Sequence, residues 1–101
     1  MKEMRTQPRI IDRGKNLYPD YVVFLNVYII IVECKLQHSL DAYEQLRLKY
    51  WRATRLPQVR ILEVCKYFNP YIELPERPVV LESLREEHFD EDNFYIYPWR
   101  G

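Results

Sequence analysis

Three charged residues stand at the ends of two strongly apolar runs: Asp20 precedes Tyr21 to Leu25, and Glu33 and Lys35 close the run that begins at Tyr28. If Asn26 and Val27 turn a hairpin, cross-strand partners have numbers with a constant sum, so Leu25 faces Tyr28, Tyr21 faces Val32 and Asp20 faces Glu33. Directly opposed residues project from the same side of a sheet. Lys35, two residues past Glu33, projects there too, because strand side chains alternate with period two. Two carboxylates held together away from water need a positive charge to offset them. The natural candidates are a divalent cation and the ammonium of Lys35. Mg2+, or Mn2+ in its place, accepts two carboxylates together with waters and a substrate phosphate. Such a metal lowers the pKa of a bound water and steadies charge on the phosphate, while Lys35 orients the attacking water or the transition-state oxygens. That chemistry is phosphodiester hydrolysis. It depends on the loop: an odd length would slip the register by one and send Asp20 to the opposite face.

The elements that must position these groups follow from the surrounding pattern. Tyr21 to Leu25 and Tyr28 to Glu33 are rich in β-branched and aromatic residues and lack polar alternation, which predicts a central hairpin buried on both faces. Asn26 suits a tight turn, whereas Val27 resists positive φ, so a wider loop is the alternative. Asp41 to Arg55 contains no glycine or proline, begins with Asp41 as N-cap and Glu44 behind it, and stops before Pro57, which predicts a helix. Ala42, Leu46, Tyr50 and Ala53 form its apolar stripe; Gln45, Lys49 and Arg52 form a polar one. Val59 to Val64 is a further strand, reached by a crossover that is normally right-handed. Glu33 and Lys35 have a bland reading as a weak surface pair, but two long apolar runs leading straight into them argue for a site.

The flanks carry less. Met1 to Pro8 allows about one turn of helix or a loose tail. Arg9 to Asp12 and Lys15 to Tyr18 read as a small hairpin about Arg13 and Gly14. Asn69-Pro70 is a turn, and Pro70, Pro75 and Pro78 force extended or turn segments, with Val79 to Leu84 and Phe94 to Tyr97 as candidate edge strands.

Pro19-Asp20, followed by Glu33-Cys34-Lys35 and then a helix, resembles the PD-(D/E)XK, or restriction-endonuclease-like, nuclease superfamily. Tyr18 to Tyr50 is most similar to the nuclease domain of type I restriction motor subunits, and the helix with its following strand also resembles small stand-alone bacterial restriction endonucleases. The resemblance implies that Asp20 and Glu33 are metal ligands, Lys35 the catalytic lysine, and Gln45 a helix residue that looks back at the site. It covers roughly the middle half of the chain, and agreement of several elements in order strengthens a short motif. Three departures stand beside it. The superfamily's usual first helix has no room before Arg9. Lys49 holds the place, four after the glutamine, where type I domains carry a tyrosine, and Tyr50 comes one later. The segment after Asn69 has no counterpart there.

Composition bounds the remaining choices. The chain has 101 residues, enough for a single nuclease-like domain with a core at about 9–65 and an extended C-terminal segment over 66–101. Fifteen basic and fifteen acidic residues give a net charge of +0, so attraction to nucleic acid must come from local placement of charge. Arg47, Arg52, Arg55 and Arg60, with Tyr50 and Trp51 among them, are candidates to follow a phosphate backbone, or else simply balance nearby acids. Glu86, Glu87, His88, Asp90, Glu91 and Asp92 lack metal-motif spacing and read as a solvated acidic loop. Cys34 and Cys65 read as buried, reduced thiols of a cytoplasmic protein, Cys34 pointing into the core. No apolar stretch approaches the roughly 20 residues of a membrane helix.

The expectation is therefore an α/β fold: a minimal restriction-endonuclease-like core, a mixed sheet with a central hairpin and one main crossover helix. Its expected function is that of a Mg2+-dependent DNA endonuclease of restriction or mobile-element type. The alternative is a shortened nuclease fold that no longer cleaves and serves in binding or assembly, as a homodimer through the aromatic tail of Tyr95, Tyr97 and Trp99. A third reading is a half-enzyme completed by a partner chain.

Overall fold

The computed structural model describes residues 3–6, 8–12, 15–37, 40–67, 76–79, 84–90 and 92–99. The fold is α/β. Its strands are β1 (Glu3–Thr6), β2 (Ile10–Asp12), β3 (Lys15–Leu17), β4 (Tyr21–Phe24), β5 (Ile29–Gln37), β6 (Val59–Tyr67), β7 (Arg77–Pro78) and β8 (Phe94–Pro98), and its helix is α1 (Leu40–Lys49). Six strands form one mixed sheet in the order β1-β4-β5-β6-β8-β7, and β2 and β3 pair separately as the small hairpin expected around residues 13–14, which themselves lie outside the described residues. Strands β1, β4 and β5 run antiparallel, and β6 runs parallel to both β5 and β8. Parallel neighbours require a crossover, and α1 supplies the one between β5 and β6.

Both faces of the central hairpin are buried, as its unbroken apolar runs predict. One face packs Val22, Ile31, Val59 and Ile61 against Leu46 and Tyr50 of α1. The other packs Val23, Ile30, Val32, Leu62 and Tyr95 against Phe89, which a short 3₁₀ turn at Glu86–Phe89 delivers. Each buried aliphatic side chain contributes about 1.5–3 kcal/mol of transfer free energy, so the two faces together fix which side of β5 meets the helix. The apolar stripe of α1 behaves as its spacing predicts: Ala42, Leu46 and Tyr50 are buried and Ala53 packs beside them.

Several expectations are corrected. Glu3–Thr6 is a strand, because β4 offers an otherwise unpaired edge whose backbone groups Glu3 to Thr6 satisfy. The α-helix begins at Leu40, so Asp41 lies within its first turn, where a negative charge still favours the helix dipole. It ends at Lys49 and passes through a turn into a 3₁₀ segment at Ala53–Arg55. Strand β8 is interior, held between β6 and β7, which buries Tyr95 and Ile96 and removes Tyr95 from any surface patch. Of the proline-rich stretch, residues 68–75 and 80–83 lie outside the described residues.

Cys34 is exposed, not buried, while Cys65 is buried; both are free thiols. The reason is local to β5: its ladder with β4 ends at Val32, and Cys34 lies beyond that point.

Candidate active site

The hairpin register over Tyr21–Phe24 and Ile29–Val32 is the expected one. Tyr21 pairs with Val32, Val22 with Ile31, Val23 with Ile30 and Phe24 with Ile29. Leu25 N–H donates to Tyr28 O at 2.9 Å, so the turn holds Asn26 and Val27 alone. A β-branched residue is awkward there, and Val27 is held from outside the hairpin: its N–H donates to Glu86 Oε1 at 2.8 Å. A carboxylate from the acidic C-terminal stretch therefore braces the turn rather than sitting free in solvent.

Beyond the last paired residues, Asp20 Oδ2 accepts a hydrogen bond from Cys34 N–H at 2.8 Å. The side chain substitutes for a ladder rung and ties Asp20 to the peptide that follows Glu33. Asp20 is half-buried. Glu33 is 7% exposed, on the face that meets α1. Its Oε1 accepts two bonds from the end of that helix, one from Lys49 Nζ at 2.9 Å and one from the hydroxyl of Tyr50. A buried carboxylate with one partner removed costs several kcal/mol, and here a cation and a phenol share the task. Burial raises the Tyr50 hydroxyl well above its ordinary range, with the bond to Glu33, the charge of Glu33 and the charge of Asp20 adding to it, so the phenol stays protonated and donating.

Lys35 lies on the same strand two residues past Glu33 and is partly exposed. Gln45 is exposed on α1, one turn before Lys49. Among the described residues it is Lys49 and Tyr50, not Gln45, that reach Glu33. Sequence reasoning placed Tyr50 in the apolar stripe and overlooked its hydroxyl; the signal was a phenol next to a lysine where α1 passes the Glu-x-Lys strand.

Two further carboxyl groups lie behind the site. Glu63 sits beside Glu33 in the parallel ladder and is fully buried. Glu76 is 2% exposed, and burial, then the charge of Glu63, pushes its carboxyl up to about 7. A glutamate alternating with Ile61 and Cys65 in a buried strand was a readable sign of Glu63; Glu76 had none.

The Cys34 thiol is pushed up by desolvation first, then by the charges of Asp20 and Glu33. It is a poor nucleophile. Arg60, grouped with the surface arginines by sequence, is buried: it donates to the carbonyls of Phe89 at 2.9 Å and Pro57 at 2.8 Å and lies over the Tyr28 ring, 4.6 Å from its centroid. It is a structural tie between β6 and the 3₁₀ turn.

No group of three or more His, Cys, Asp or Glu side chains among the described residues is gathered closely enough to hold a metal ion. Mg2+ asks for fewer, since it keeps several waters and takes one or two carboxylates plus substrate phosphate. Asp20 and Glu33 suit that donor set: each spends one carboxylate oxygen on the bonds above, and Asp20 is only half-buried. No helix is long and apolar enough to cross a membrane among the described residues. Comparison with protein-family models, with curated proteins and with solved structures finds no match to this chain.

Proposed function

We propose that this chain is a Mg2+- or Mn2+-dependent nuclease on a minimal restriction-endonuclease-like core, cutting phosphodiester bonds of DNA in the manner of restriction or mobile-element endonucleases. The observation that supports the proposal is the hairpin register, Tyr21 opposite Val32, with the Asp20 carboxylate bonded to Cys34 N–H next to Glu33, and Lys35 two residues further along the same strand. The order of elements, a Pro-Asp strand, hairpin, Glu-x-Lys strand, helix and parallel strand, agrees with it. Asp20 and Glu33 would hold the cation, which supplies Lewis acidity to the scissile phosphate. Lys35 brings an ammonium group to orient the attacking water or balance charge on the phosphate oxygens. Lys49 and Tyr50 act as positioning residues, fixing the Glu33 carboxylate through one oxygen so that the other faces a defined direction.

The test is nicking of supercoiled plasmid by purified protein with Mg2+ or Mn2+, beside Asp20→Asn and Lys35→Ala. Cleavage that disappears in both variants, with unchanged circular dichroism, supports the nuclease. A specific observation favours the alternative of a non-cleaving binding module: Glu33 is already engaged by a lysine ammonium, which a cation must coexist with. No cleavage by a well-folded wild type selects that alternative.

A further inference from the structure

Net neutrality conceals a segregation of charge. Between Glu44 and Glu63 the chain carries Arg47, Lys49, Arg52, Arg55 and Arg60 and no acidic residue. Arg47 pairs with Glu44 at 2.7 Å, Lys49 with Glu33 at 2.9 Å, and Arg60 is buried against backbone carbonyls. Arg52, with its Nη1 buried, and the exposed Arg55 both lie over one aromatic ring. The guanidinium carbons of Arg52 and Arg55 lie 4.9 Å and 4.8 Å from the ring centroid of Trp51.

Trp51 is 44% exposed. Its position is fixed by the turn that ends α1. Thr54 N–H donates to Tyr50 O and its hydroxyl to Trp51 O, each at 3.0 Å, and Arg55 N–H donates to Arg52 O at 3.1 Å. The platform is thus built on a hydrogen-bonded turn, and it starts at the residue next to Tyr50, which grips Glu33.

We infer that Trp51, Arg52 and Arg55 form a stacking platform for an unpaired stretch of a nucleic-acid strand, delivering that strand toward the carboxylates; this rests on the nuclease reading for its purpose but not for its binding. Indole and guanidinium planes both stack on nucleobases. A base inside a duplex has its faces covered by neighbours, so the platform selects an unpaired one. The exposed Arg55 guanidinium adds a charged fork suited to phosphate. The occupant is therefore a strand carrying both bases and phosphates, not an acidic peptide, which offers charge without regular planar rings.

The experiment uses the full chain with Trp99→Phe, which leaves Trp51 as the sole tryptophan, titrated with poly(dT), poly(rU) and a blunt DNA duplex in EDTA so that nothing is cut. Binding of poly(dT) or poly(rU) with quenching of Trp51 fluorescence, tighter than binding of the duplex, is the expected result. Trp51→Ala weakens it about 5- to 150-fold, and Arg55→Ala lowers the slope of log affinity against log salt by about 0.7. Binding without quenching, duplex preferred over single strands, or wild-type affinity in Trp51→Ala overturns the inference. Should Trp51→Ala fail to fold, exposed Arg55→Ala alone and the quenching itself still decide. Quenching without plasmid cleavage sinks the nuclease reading and leaves the platform; cleavage without quenching does the reverse.

Discussion

Tyr50 and Glu33, one at the end of α1 and one in the middle of β5, are joined by a buried hydrogen bond from phenol to carboxylate. The bond turns a residue of the apolar stripe into a clamp on the proposed site. Tyr50→Phe keeps the ring and its packing and removes the donor. The loss of a hydrogen bond to a charged group lowers stability by about 1.5–3 kcal/mol, with Lys49 remaining to compensate part of it. A thermal melt checks the first effect, and nicking activity checks whether a loosened Glu33 slows cleavage more than the stability change can explain.

Metal binding gives a prediction that does not need turnover. A cation that binds only the folded chain raises its stability by about 2.7 kcal/mol at 100 times its Kd. Mn2+ is expected to raise the melting temperature of the wild type and not that of Asp20→Asn or Glu33→Gln. A shift of equal size in all three proteins places the ion elsewhere.

Arg60 tests the division between structural and surface arginines. Arg60→Met retains an apolar stem but leaves the carbonyls of Phe89 and Pro57 without this donor, at roughly 1–3 kcal/mol for each acceptor left unsatisfied. The 3₁₀ turn that carries Phe89 is expected to loosen, and urea midpoints measure it. Affinity of the folded variant for poly(dT) is expected to stay within about twofold, because Arg60 lies in the core rather than at the platform.

What was legible in the chain, and what was not, follows from the range of the interactions. The register of Tyr21 against Val32 could be read because strand pairing over a two-residue turn is local arithmetic, and the two-sided burial of both strands because their runs lack polar alternation. The apolar stripe of α1 was equally local. Cys34 was misplaced because strand alternation says which face a residue takes, and cover on that face depends on where β4 stops. Strand β8 was read as an edge because nothing nearby announces that Arg77–Pro78 will pair along its far side. The hydrogen bond of Val27 to Glu86, and the effect of the Glu63 charge on Glu76, join residues distant in sequence and carry no periodic signal. Lys49 and Tyr50 fall between these cases: both were seen, but their helix had to be docked on β5 before either could be assigned to Glu33.

Glu76 gives the last prediction, a pH dependence with a definite sign. Its carboxyl rises from the ordinary 4.5 to about 7, through burial first and the neighbouring charge of Glu63 second. Tyr43 on α1 also senses Glu76, whose charge raises the Tyr43 hydroxyl along with burial. A raised carboxyl pKa means that the folded chain binds more protons than the unfolded one between those two values, so stability falls as pH rises from about 4.5 to about 7. Below that window both states hold the proton and there is no penalty; above it the full penalty, on the order of 3 kcal/mol, is in place. Glu76→Gln keeps the shape and removes the ionisation. Urea midpoints of the wild type are expected to decline across the window and those of Glu76→Gln to stay flatter, with the variant the more stable at pH 8. Parallel declines in the two proteins would assign the pH dependence to another group.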